Sequence, residues 1–252
     1  MNQPVLECKH ISFSYHTLGG ETKALSDISF SVYQGEFVSI VGPSGCGKST
    51  LLSLISGLEQ PQEGEIIIQT NAQNSIGYML QQDHLFDWRT IKENVLLGPE
   101  INHTLTPETE QYALSLLDEY GLKSFVNKKP TELSGGMRQR AALIRTMVMK
   151  PSLLLLDEPF SALDYQTRLS VSADIGKIIK KSNISAILIT HDLSEAISLS
   201  DRVIVLSKRP AYVKKEININ LTGSDEGALS ARSSPEFNDY FNLLWKEISD
   251  EN

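Results

Sequence analysis

The sequence contains little cysteine, no long apolar run and no surplus of positive charge. Only two of its 252 residues are cysteines, Cys8 and Cys46. Cys46 lies inside a glycine-rich loop, GPSGCGKST, whose shape a disulfide would distort. The scarcity and the placement of cysteine therefore favour a reducing compartment over an oxidising one.

The apolar residues are spread along the chain, and none of them forms a run of about 18, the length typical of a membrane-spanning helix. The first ten residues, MNQPVLECKH, lack the basic and then apolar pattern of a secretion signal. We therefore expect a cytosolic chain. The formal net charge is -8, whereas nucleic-acid binders usually carry a basic surplus or stripe, so we expect no nucleic-acid partner.

Short apolar runs alternate with helical patterns along most of the chain. The runs FVSIVG, SLLLLD, SAILIT and DRVIVLS predict buried strands, while KSTLLSLISGL and DYQTRLSVSADIGKIIKK have helical spacing. This alternation predicts an α/β fold with a mainly parallel sheet. Two earlier segments, LECKHISFSY and ISFSVYQGEF, are separated by turn residues and predict an N-terminal antiparallel β part.

The pattern changes to mainly helix at residues 88–150, which predicts a helical subdomain inserted into the α/β core. We expect a single domain over 1–252, with its core and N-terminal β subdomain formed by 1–87 and 151–208. Residues 209–252 are expected to form a C-terminal tail that ends in an amphipathic helix. That helix is predicted to begin at Pro235, and its apolar stripe serves either to dock on the chain's own core or to receive a partner.

Gly42 to Ser49 matches the phosphate-binding pattern G-x-x-x-x-G-K-S and stands between a predicted strand and a predicted helix. The glycines let the backbone fold around phosphate oxygens, Lys48 would reach the β- and γ-phosphates, and the Ser49 hydroxyl would hold Mg²⁺. The alternative is a chance match in a flexible turn, which the flanking strand and helix disfavour. The predicted ATP-binding loop consists of Gly42, Pro43, Ser44, Gly45, Cys46, Gly47, Lys48, Ser49 and Thr50.

Cys46 is the one cysteine with a reactive context, because a helix N-terminus lowers the pKa of a nearby thiol. On that interpretation a thiol reagent inactivates the protein and ATP protects it. The other interpretation is a small loop residue with no role of its own.

Polar side chains follow several of the predicted strands. Asp157 and Glu158 end LLLLDEP, His191 follows AILIT, and Gln81 follows SIGYML. In parallel sheets ligands gather at the carboxyl ends of the strands. Asp157 would face the Mg²⁺ shell, and Glu158 would polarise the attacking water. A solvated turn, or a satisfied core histidine, is the alternative for each residue taken singly.

The stretch LSGGMRQRAAL suggests a second anion site. Ser134 is a good helix N-cap, and the two glycines that follow leave backbone N–H groups open at the positive end of a helix dipole. The chain thus has two phosphate-binding elements some ninety positions apart.

Together these motifs resemble the ATP-binding subunits of ABC transporters over nearly the whole chain. GPSGCGKST resembles the Walker A motif, LLLLDEP the Walker B motif and LSGGM the signature motif, in which Met137 stands where many members have glutamine. Gln81 corresponds to the Q-loop, SALD to the D-loop and His191 to the H-loop.

The resemblance implies a P-loop NTPase fold with a helical subdomain, and two subunits that pack head to tail. Each ATP then lies between the P-loop of one subunit and the signature helix of the other. The implied cofactors are ATP and Mg²⁺. The resemblance implies that the catalytic residues are Glu158, His191, Lys48 and Gln81, and that Mg²⁺ is bound by Ser49, Gln81 and Asp157. It implies that Tyr15 stacks on the adenine and that Ser134, Gly135 and Gly136 bind the ATP of the other subunit. Ser161 and Asp164, in the D-loop, would contact the other subunit.

A finer resemblance points to importers of the nitrate, sulfonate and taurine type, with relatives that serve thiamine precursors. It rests on DHLFDWRTIKENV, in which Asp87 replaces the usual proline, and on LSDRVIVLSKRP. Leu85, Phe86 and Trp88 would then receive a coupling helix of a membrane subunit, whereas ordinary burial is the alternative for all three.

This resemblance implies a second ATPase subunit, two transmembrane permease subunits and, indirectly, an extracytoplasmic solute-binding protein as partners. The chain would lie at the cytoplasmic face of the membrane, attached through the permease subunits. The alternatives are the ATPase of an ABC exporter or a soluble ABC ATPase that takes no part in transport.

Overall fold

The computed structural model describes residues 3–17, 20–69, 76–223 and 227–249. The strands are β1 (Pro4–Thr17), β2 (Gly20–Tyr33), β3 (Phe37–Val41), β4 (Glu63–Ile68), β5 (Ile76–Met79), β6 (Leu153–Asp157), β7 (Ser185–Ile189), β8 (Arg202–Leu206) and β9 (Val213–Asn218). The helices are α1 (Lys48–Ile55), α2 (Ile91–Val95), α3 (Leu97–Ile101), α4 (Pro107–Glu119), α5 (Gly135–Met147), α6 (Tyr165–Ser182), α7 (Leu193–Leu199), α8 (Ala228–Ala231) and α9 (Phe237–Ser249).

Two sheets organise the chain. The larger has the order β5-β6-β7-β3-β8-β9, and its first five strands run parallel while β9 pairs antiparallel to β8. The smaller is antiparallel, with the order β2-β1-β4. The predicted fold class, a mainly parallel sheet with an N-terminal antiparallel part and added helices, is confirmed.

The large sheet is buried on both faces, which explains why its strands are apolar at every position instead of every second one. Successive residues of β6 point to opposite faces. Leu154 and Leu156 pack with the helices α2, α4, α5 and α6, whereas Leu153 and Leu155 pack with α1 and the small sheet. The sheet is therefore the middle layer between two apolar cores.

Between β5 and β6 the described chain forms helices and short 3₁₀ turns, with no strand in the region 88–150. α4 begins as predicted at Pro107, where Thr106 caps the first turn and Glu108 and Glu110 supply negative charge. Arg89 and Glu100 form an ion pair across this region. The division of the chain into core, helical subdomain and tail stays a prediction.

The last part of the chain departs from expectation in two ways. The predicted C-terminal tail, residues 209–252, contains β9, a strand that was not expected and that extends the large sheet at its edge. The final helix begins at Phe237, two residues after the predicted Pro235. α9 packs on α7, β8 and β9 through Leu244, which is 0% exposed, so the stripe serves the chain's own core. Trp245 on the same helix is exposed.

Among the described residues, no helix combines the length and the apolar composition that crossing a bilayer requires.

Leu244→Ala should lower the free energy of unfolding by about 2–5 kcal/mol, because it leaves a cavity where α9 meets the core. Leu229→Ala is the matched control, since Leu229 is 55% exposed on α8, and it should change stability by less than about 0.5 kcal/mol. Urea unfolding followed by circular dichroism measures both. Equal losses for the two variants would contradict the docking of α9.

Candidate functional site

A cavity of about 580 Å³ opens at the carboxyl edge of the parallel strands. It is lined by Gly42, Ser44, Gly45, Gly47, Lys48, Ser49, Thr50, Glu158, His191 and Arg209. Seven of these belong to the predicted phosphate loop, and the rest follow β6, β7 and β8. The structure therefore brings the loop, Glu158 and His191 together, as the rule for parallel sheets predicts.

The loop turns from β3 into α1 through Gly47, whose φ of 124° only glycine adopts without strain. A Cβ atom at this position would lie 2.9 Å from Leu25 Cδ2 and 3.2 Å from the carbonyl oxygen of Ala24. No side chain caps α1, and its first three residues, Lys48, Ser49 and Thr50, line the cavity. Such a helix N-terminus favours the binding of a phosphate group.

Lys48 is held by the loop itself. Its Nζ donates hydrogen bonds to the carbonyl oxygens of Gly42 and Pro43, both at 2.9 Å. The side chain is largely buried yet lines the cavity. Its positive charge is thus placed beside the loop before any phosphate arrives.

Arg209 is a cavity residue that the sequence analysis missed. Its Nη2 donates a hydrogen bond to the carbonyl oxygen of Gly45 at 2.7 Å. The signal that could have found it is its position: Arg209 follows β8 at the same sheet edge that carries His191.

The structure contradicts the interpretation of Cys46 as a reactive thiol. Cys46 is 1% exposed, and burial raises the pKa of its thiol, an effect that outweighs the opposing charge of Lys48. The residue is a small apolar component of the loop and does not line the cavity. Burial also raises the pKa of the Cys8 thiol to about 12.

Asp157 ends β6 next to the loop. The Ser49 hydroxyl donates to Asp157 Oδ1 at 3.3 Å, and the Tyr78 hydroxyl donates to Oδ2 at 3.5 Å. Burial raises the pKa of Asp157, and the hydrogen bond from Ser49 opposes that shift. Tyr78 was not predicted, because nothing in the run SIGYML distinguishes a tyrosine that faces Asp157 from one that packs in the core.

Glu158 adopts a φ of 45°, which is uncommon for a residue with a side chain. Its N–H donates to the carbonyl oxygen of Ile189 at 2.9 Å, which holds this strained conformation against β7. His191 Nδ1 lies 3.3 Å from Glu158 Oε2. The turn after β6 thus presents a carboxylate to the cavity with an imidazole beside it.

Gln81 and the predicted D-loop contact one another. The Gln81 side-chain amide donates to the Ser161 hydroxyl at 3.2 Å, and Ser161 donates to the carbonyl oxygen of Glu158 at 2.9 Å. Asp164 caps α6, with Oδ1 accepting the N–H of Thr167. Gln81 does not line the cavity, so its role as a metal ligand stays a prediction.

Tyr15 stands at the border of the loop and the small sheet. Its hydroxyl is 3.0 Å from Thr50 Oγ1, and its ring packs edge-on against Phe13. These two contacts fix the ring next to the first turn of α1 while leaving it partly exposed. The position suits a planar group that extends from the phosphate loop.

The signature segment lies away from this cavity. Ser134 caps α5, as predicted, with its hydroxyl accepting the N–H of Met137 at 3.4 Å. Gly135 and Gly136 are the first two residues of α5, and N–H groups in the first turn of a helix have no acceptor within that helix. Gly136 is buried against α6, where a Cβ atom would lie 2.7 Å from Val171 Cγ2. None of the predicted trans residues lines the cavity of its own chain.

The segment after Gln81 is anchored to α2 and α5. Asn94 is fully buried and bonds both the N–H and the carbonyl oxygen of Phe86. Leu85 belongs to the core, which corresponds to ordinary burial, and we drop it from the candidate docking residues. Phe86 is partly buried under Trp88, with ring centroids 4.7 Å apart, and Trp88 is exposed.

A profile of the ABC transporter family matches residues 25–161, more than half of the chain. The chain belongs to the ABC transporter family. The match spans the phosphate loop, the signature segment, Asp157 at the end of β6 and Glu158 directly after it.

This ABC subunit is 47% identical to an uncharacterized ABC transporter ATP-binding protein of Bacillus subtilis, over 97% of this chain and 95% of the relative. It is 37% identical to a taurine import ATP-binding protein of Roseobacter denitrificans, over 90% and 88% of the two chains. Nitrate and aliphatic sulfonate import ATP-binding proteins are also among its relatives. The resemblance to this group of importers is confirmed.

Among solved structures, an ATP-binding cassette in a dimeric, post-hydrolysis state with ADP and Pi superposes with a TM-score of 0.72. The two sequences are 31% identical, over 85% of this chain and 99% of the other. The ABC subunit described here is an ATP-binding protein with ATPase activity.

Arg209→Gln should weaken ATP binding by about threefold to tenfold, the effect of roughly 1 kcal/mol. The guanidinium holds the Gly45 carbonyl of the loop and places a second positive charge at the cavity, where it attracts the phosphates. Arg209→Lys should bind with intermediate affinity. Isothermal titration with ATP gives the three dissociation constants.

Lys246→Gln is the control for the loss of a positive charge, since Lys246 is exposed on α9. This variant should bind ATP with the affinity of the unsubstituted chain. An unchanged affinity of Arg209→Gln would remove Arg209 from the binding site.

Proposed function

We propose that this chain is the ATP-hydrolysing subunit of an ABC importer for a small solute of the nitrate, sulfonate, taurine or thiamine-precursor type. Two such subunits act head to tail on two permease subunits at the cytoplasmic face of the membrane, and an extracytoplasmic solute-binding protein delivers the solute. The observation that carries the proposal is the split arrangement: one cavity holds the phosphate loop, Glu158 and His191, while the capped signature helix stands outside it.

Binding of ATP begins with the phosphate loop. Lys48 and the amides at the start of α1 neutralise the β- and γ-phosphates, and the partly exposed ring of Tyr15 stacks on the adenine. Lys48 exchanges its two carbonyl contacts for phosphate oxygens. Since the loop amides are already oriented, the binding energy is not consumed in ordering them.

The donor set beside the loop fits Mg²⁺. Ser49 Oγ and the Asp157 carboxylate lie 3.3 Å apart, and both are oxygen ligands of the kind that Mg²⁺ takes together with phosphate oxygens and water. A bound Mg²⁺ would neutralise charge that develops on the phosphates. Tyr78 orients Asp157 by its hydrogen bond. Burial raises the pKa of Asp157, because it disfavours the charged carboxylate.

Hydrolysis requires an oriented water. Glu158 is the general base, because its carboxylate lines the cavity beyond the loop, and His191 lies beside it, where it can contact the γ-phosphate. Their separation of 3.3 Å lets one water contact both side chains. Gln81, through Ser161, links this water site to the segment that carries Trp88.

The second subunit completes the site. Ser134 and the free amides of Gly135 and Gly136 supply hydrogen bonds to the γ-phosphate of the ATP on the opposite P-loop. Nucleotide then joins the two subunits, and loss of the γ-phosphate favours their separation. The dimeric ADP- and Pi-bound cassette that superposes on this chain supports such an assembly.

Contact with the permease is proposed at Phe86 and Trp88, the stacked and partly exposed pair. The same segment is tied to the signature helix, because Arg138 pairs with Asp83 at 3.0 Å and Arg145 donates to the carbonyl oxygens of Asp83 and His84. A displacement at Trp88 would therefore reach α5.

The exporter alternative shares every motif of the nucleotide site, so the import names of the relatives weigh against it. The soluble alternative predicts co-purification with ribosomes or DNA, whereas the importer proposal predicts co-purification with membrane subunits. An acidic net charge of -8 also disfavours a nucleic-acid partner.

Glu158→Gln should still bind ATP but hydrolyse it more slowly by roughly 10²–10⁴-fold, because the amide cannot accept the proton of the attacking water. ATP should then trap the subunits as dimers, seen by size-exclusion chromatography, while phosphate release measures the rate. Glu59→Gln, an exposed residue beyond α1, is the matched control and should leave turnover unchanged. Near-normal turnover of Glu158→Gln would exclude Glu158 as the base.

Ser134→Arg should abolish ATP-driven dimerisation and most turnover, since a long side chain would enter the space that the second subunit's nucleotide occupies. Binding of ATP to the isolated subunit should persist. Ser115→Arg, on an exposed position of α4, adds the same side chain away from the signature segment and should dimerise normally. If Ser134→Arg turns over ATP at the unsubstituted rate, the shared-site proposal is wrong.

A further inference from the structure

Arg168 connects two segments of the site that the motifs alone leave separate. It lies in the first turn of α6, directly after the D-loop. Its Nη2 donates to the carbonyl oxygen of Leu163 at 3.0 Å, and its Nη1 lies 3.8 Å from Asp192 Oδ2. One guanidinium thus holds the end of the D-loop and the residue that follows His191.

Asp192 in turn fixes the backbone on either side of His191. Asp192 Oδ1 accepts the N–H groups of Ser194 and Glu195 and so caps α7. The Asp192 N–H donates to Thr190 Oγ1, and that hydroxyl donates to the buried Glu195 carboxylate at 2.6 Å. Because His191 stands between Thr190 and Asp192, its direction depends on where Asp192 is held.

The D-loop is tied to Glu158 at its other end. Ser161 donates to the Glu158 carbonyl oxygen with both its N–H, at 3.2 Å, and its hydroxyl, at 2.9 Å. The contacts therefore close into a ring that runs from Glu158 to His191 and Asp192, across Arg168 to Leu163, and back through Ser161. Arg168 is the one long side chain that closes this ring.

The hydrogen-bonding capacity of Arg168 is only partly used. The side chain is 23% exposed, and its Nε has no hydrogen-bond partner in the part of the chain that the structure describes. A buried donor left unpaired costs free energy, and polar groups of this kind are often replaced by apolar ones without loss of stability. The guanidinium presents its N–H groups in a rigid planar fork, so it holds its two acceptors in fixed relative positions.

We propose that Arg168 is a positioning residue for ATP hydrolysis: it ties the D-loop to the H-loop and thereby holds His191 against Glu158. This inference rests on the proposed function. In that function the D-loop contacts the second subunit. Binding of that subunit would therefore change the position of His191 through the contacts that Arg168 makes. Arg168 does not line the cavity, so it acts through the residues that it holds.

Arg168→Gln should lower kcat by about tenfold or more, because small misplacements of a catalytic group cost rate steeply, while the Kd for ATP changes less than twofold. Arg168→Lys should recover part of kcat by keeping the charge near Asp192. Phosphate release by the full-length chain gives kcat, and titration with ATP gives Kd. A loss that appears mainly in Kd would contradict a positioning role.

Arg140→Gln is the matched control. Arg140 is similarly exposed at 27%, pairs with Asp174 at 3.6 Å and also has a buried Nε without a partner in the described chain, but it lies away from the nucleotide cavity. It should leave kcat unchanged. Equal losses for Arg168→Gln and Arg140→Gln would show that removing any such arginine merely loosens the fold, and the proposal would be wrong.

Asp192→Asn tests the same contact from the other side, since asparagine still caps α7 but carries no charge for Arg168. The double variant with Arg168→Gln should be no slower than the slower single variant, because both remove one interaction. Multiplicative losses would overturn the proposal. If Arg168→Gln does not fold, Asp192→Asn alone tests the contact, and it should lower kcat while leaving the Kd for ATP within about twofold.

A readout independent of turnover separates this inference from the proposed function. The chain has five histidines, and the ring signals of His191 can be assigned in a histidine NMR spectrum by their loss in His191→Gln. Arg168→Gln should shift them, and Arg140→Gln should not. If the unsubstituted chain fails to hydrolyse ATP, the proposed function is wrong; if His191 signals are unmoved by Arg168→Gln, the inference alone is wrong.

Discussion

The meeting of parallel strand ends at one edge of the sheet is the constraint on which the candidate site depends. β3 leads into the phosphate loop, β6 ends at Asp157, β7 leads to His191 and β8 leads to Arg209. These residues are far apart in the chain, and only the order β6-β7-β3-β8 makes them neighbours. Since each strand is buried on both faces, its register cannot slip without moving a polar end residue into the core.

Within that frame the site is electrostatically prepared for an anion. Lys48 and Arg209 both donate to carbonyl oxygens of the phosphate loop, on Gly42, Pro43 and Gly45. The loop therefore keeps its curvature by internal hydrogen bonds and does not have to be ordered by nucleotide. The positive charges and the open N–H groups of α1 face the same cavity, which is how a preformed phosphate site saves the cost of reorganisation.

Arginine side chains tie separate segments of the site to one another. Arg138 and Arg145 hold the segment after Gln81 on the signature helix α5, and Arg168 holds the D-loop on the residue after His191. A guanidinium suits this task because it can bond backbone carbonyls and carboxylates together. The resulting contacts join the proposed permease-facing surface, the dimer-facing loops and the nucleotide cavity into one network.

The sequence by itself determined the phosphate loop, the helix cap at Ser134 and the alternation of strands and helices. It also determined Asp157, Glu158 and His191 as candidate site residues. Each of these features can be recognised from local residue spacing or composition. Tertiary structure alone decided the partners that these groups find. Burial raised the pKa of the Cys46 thiol, whereas a helix N-terminus would have lowered it. Strand pairing brought Tyr78 and Arg209 to the site. The polar segment β9 formed a strand because it could pair with the edge of β8. Such outcomes depend on which residues fold against one another, and no local pattern specifies that.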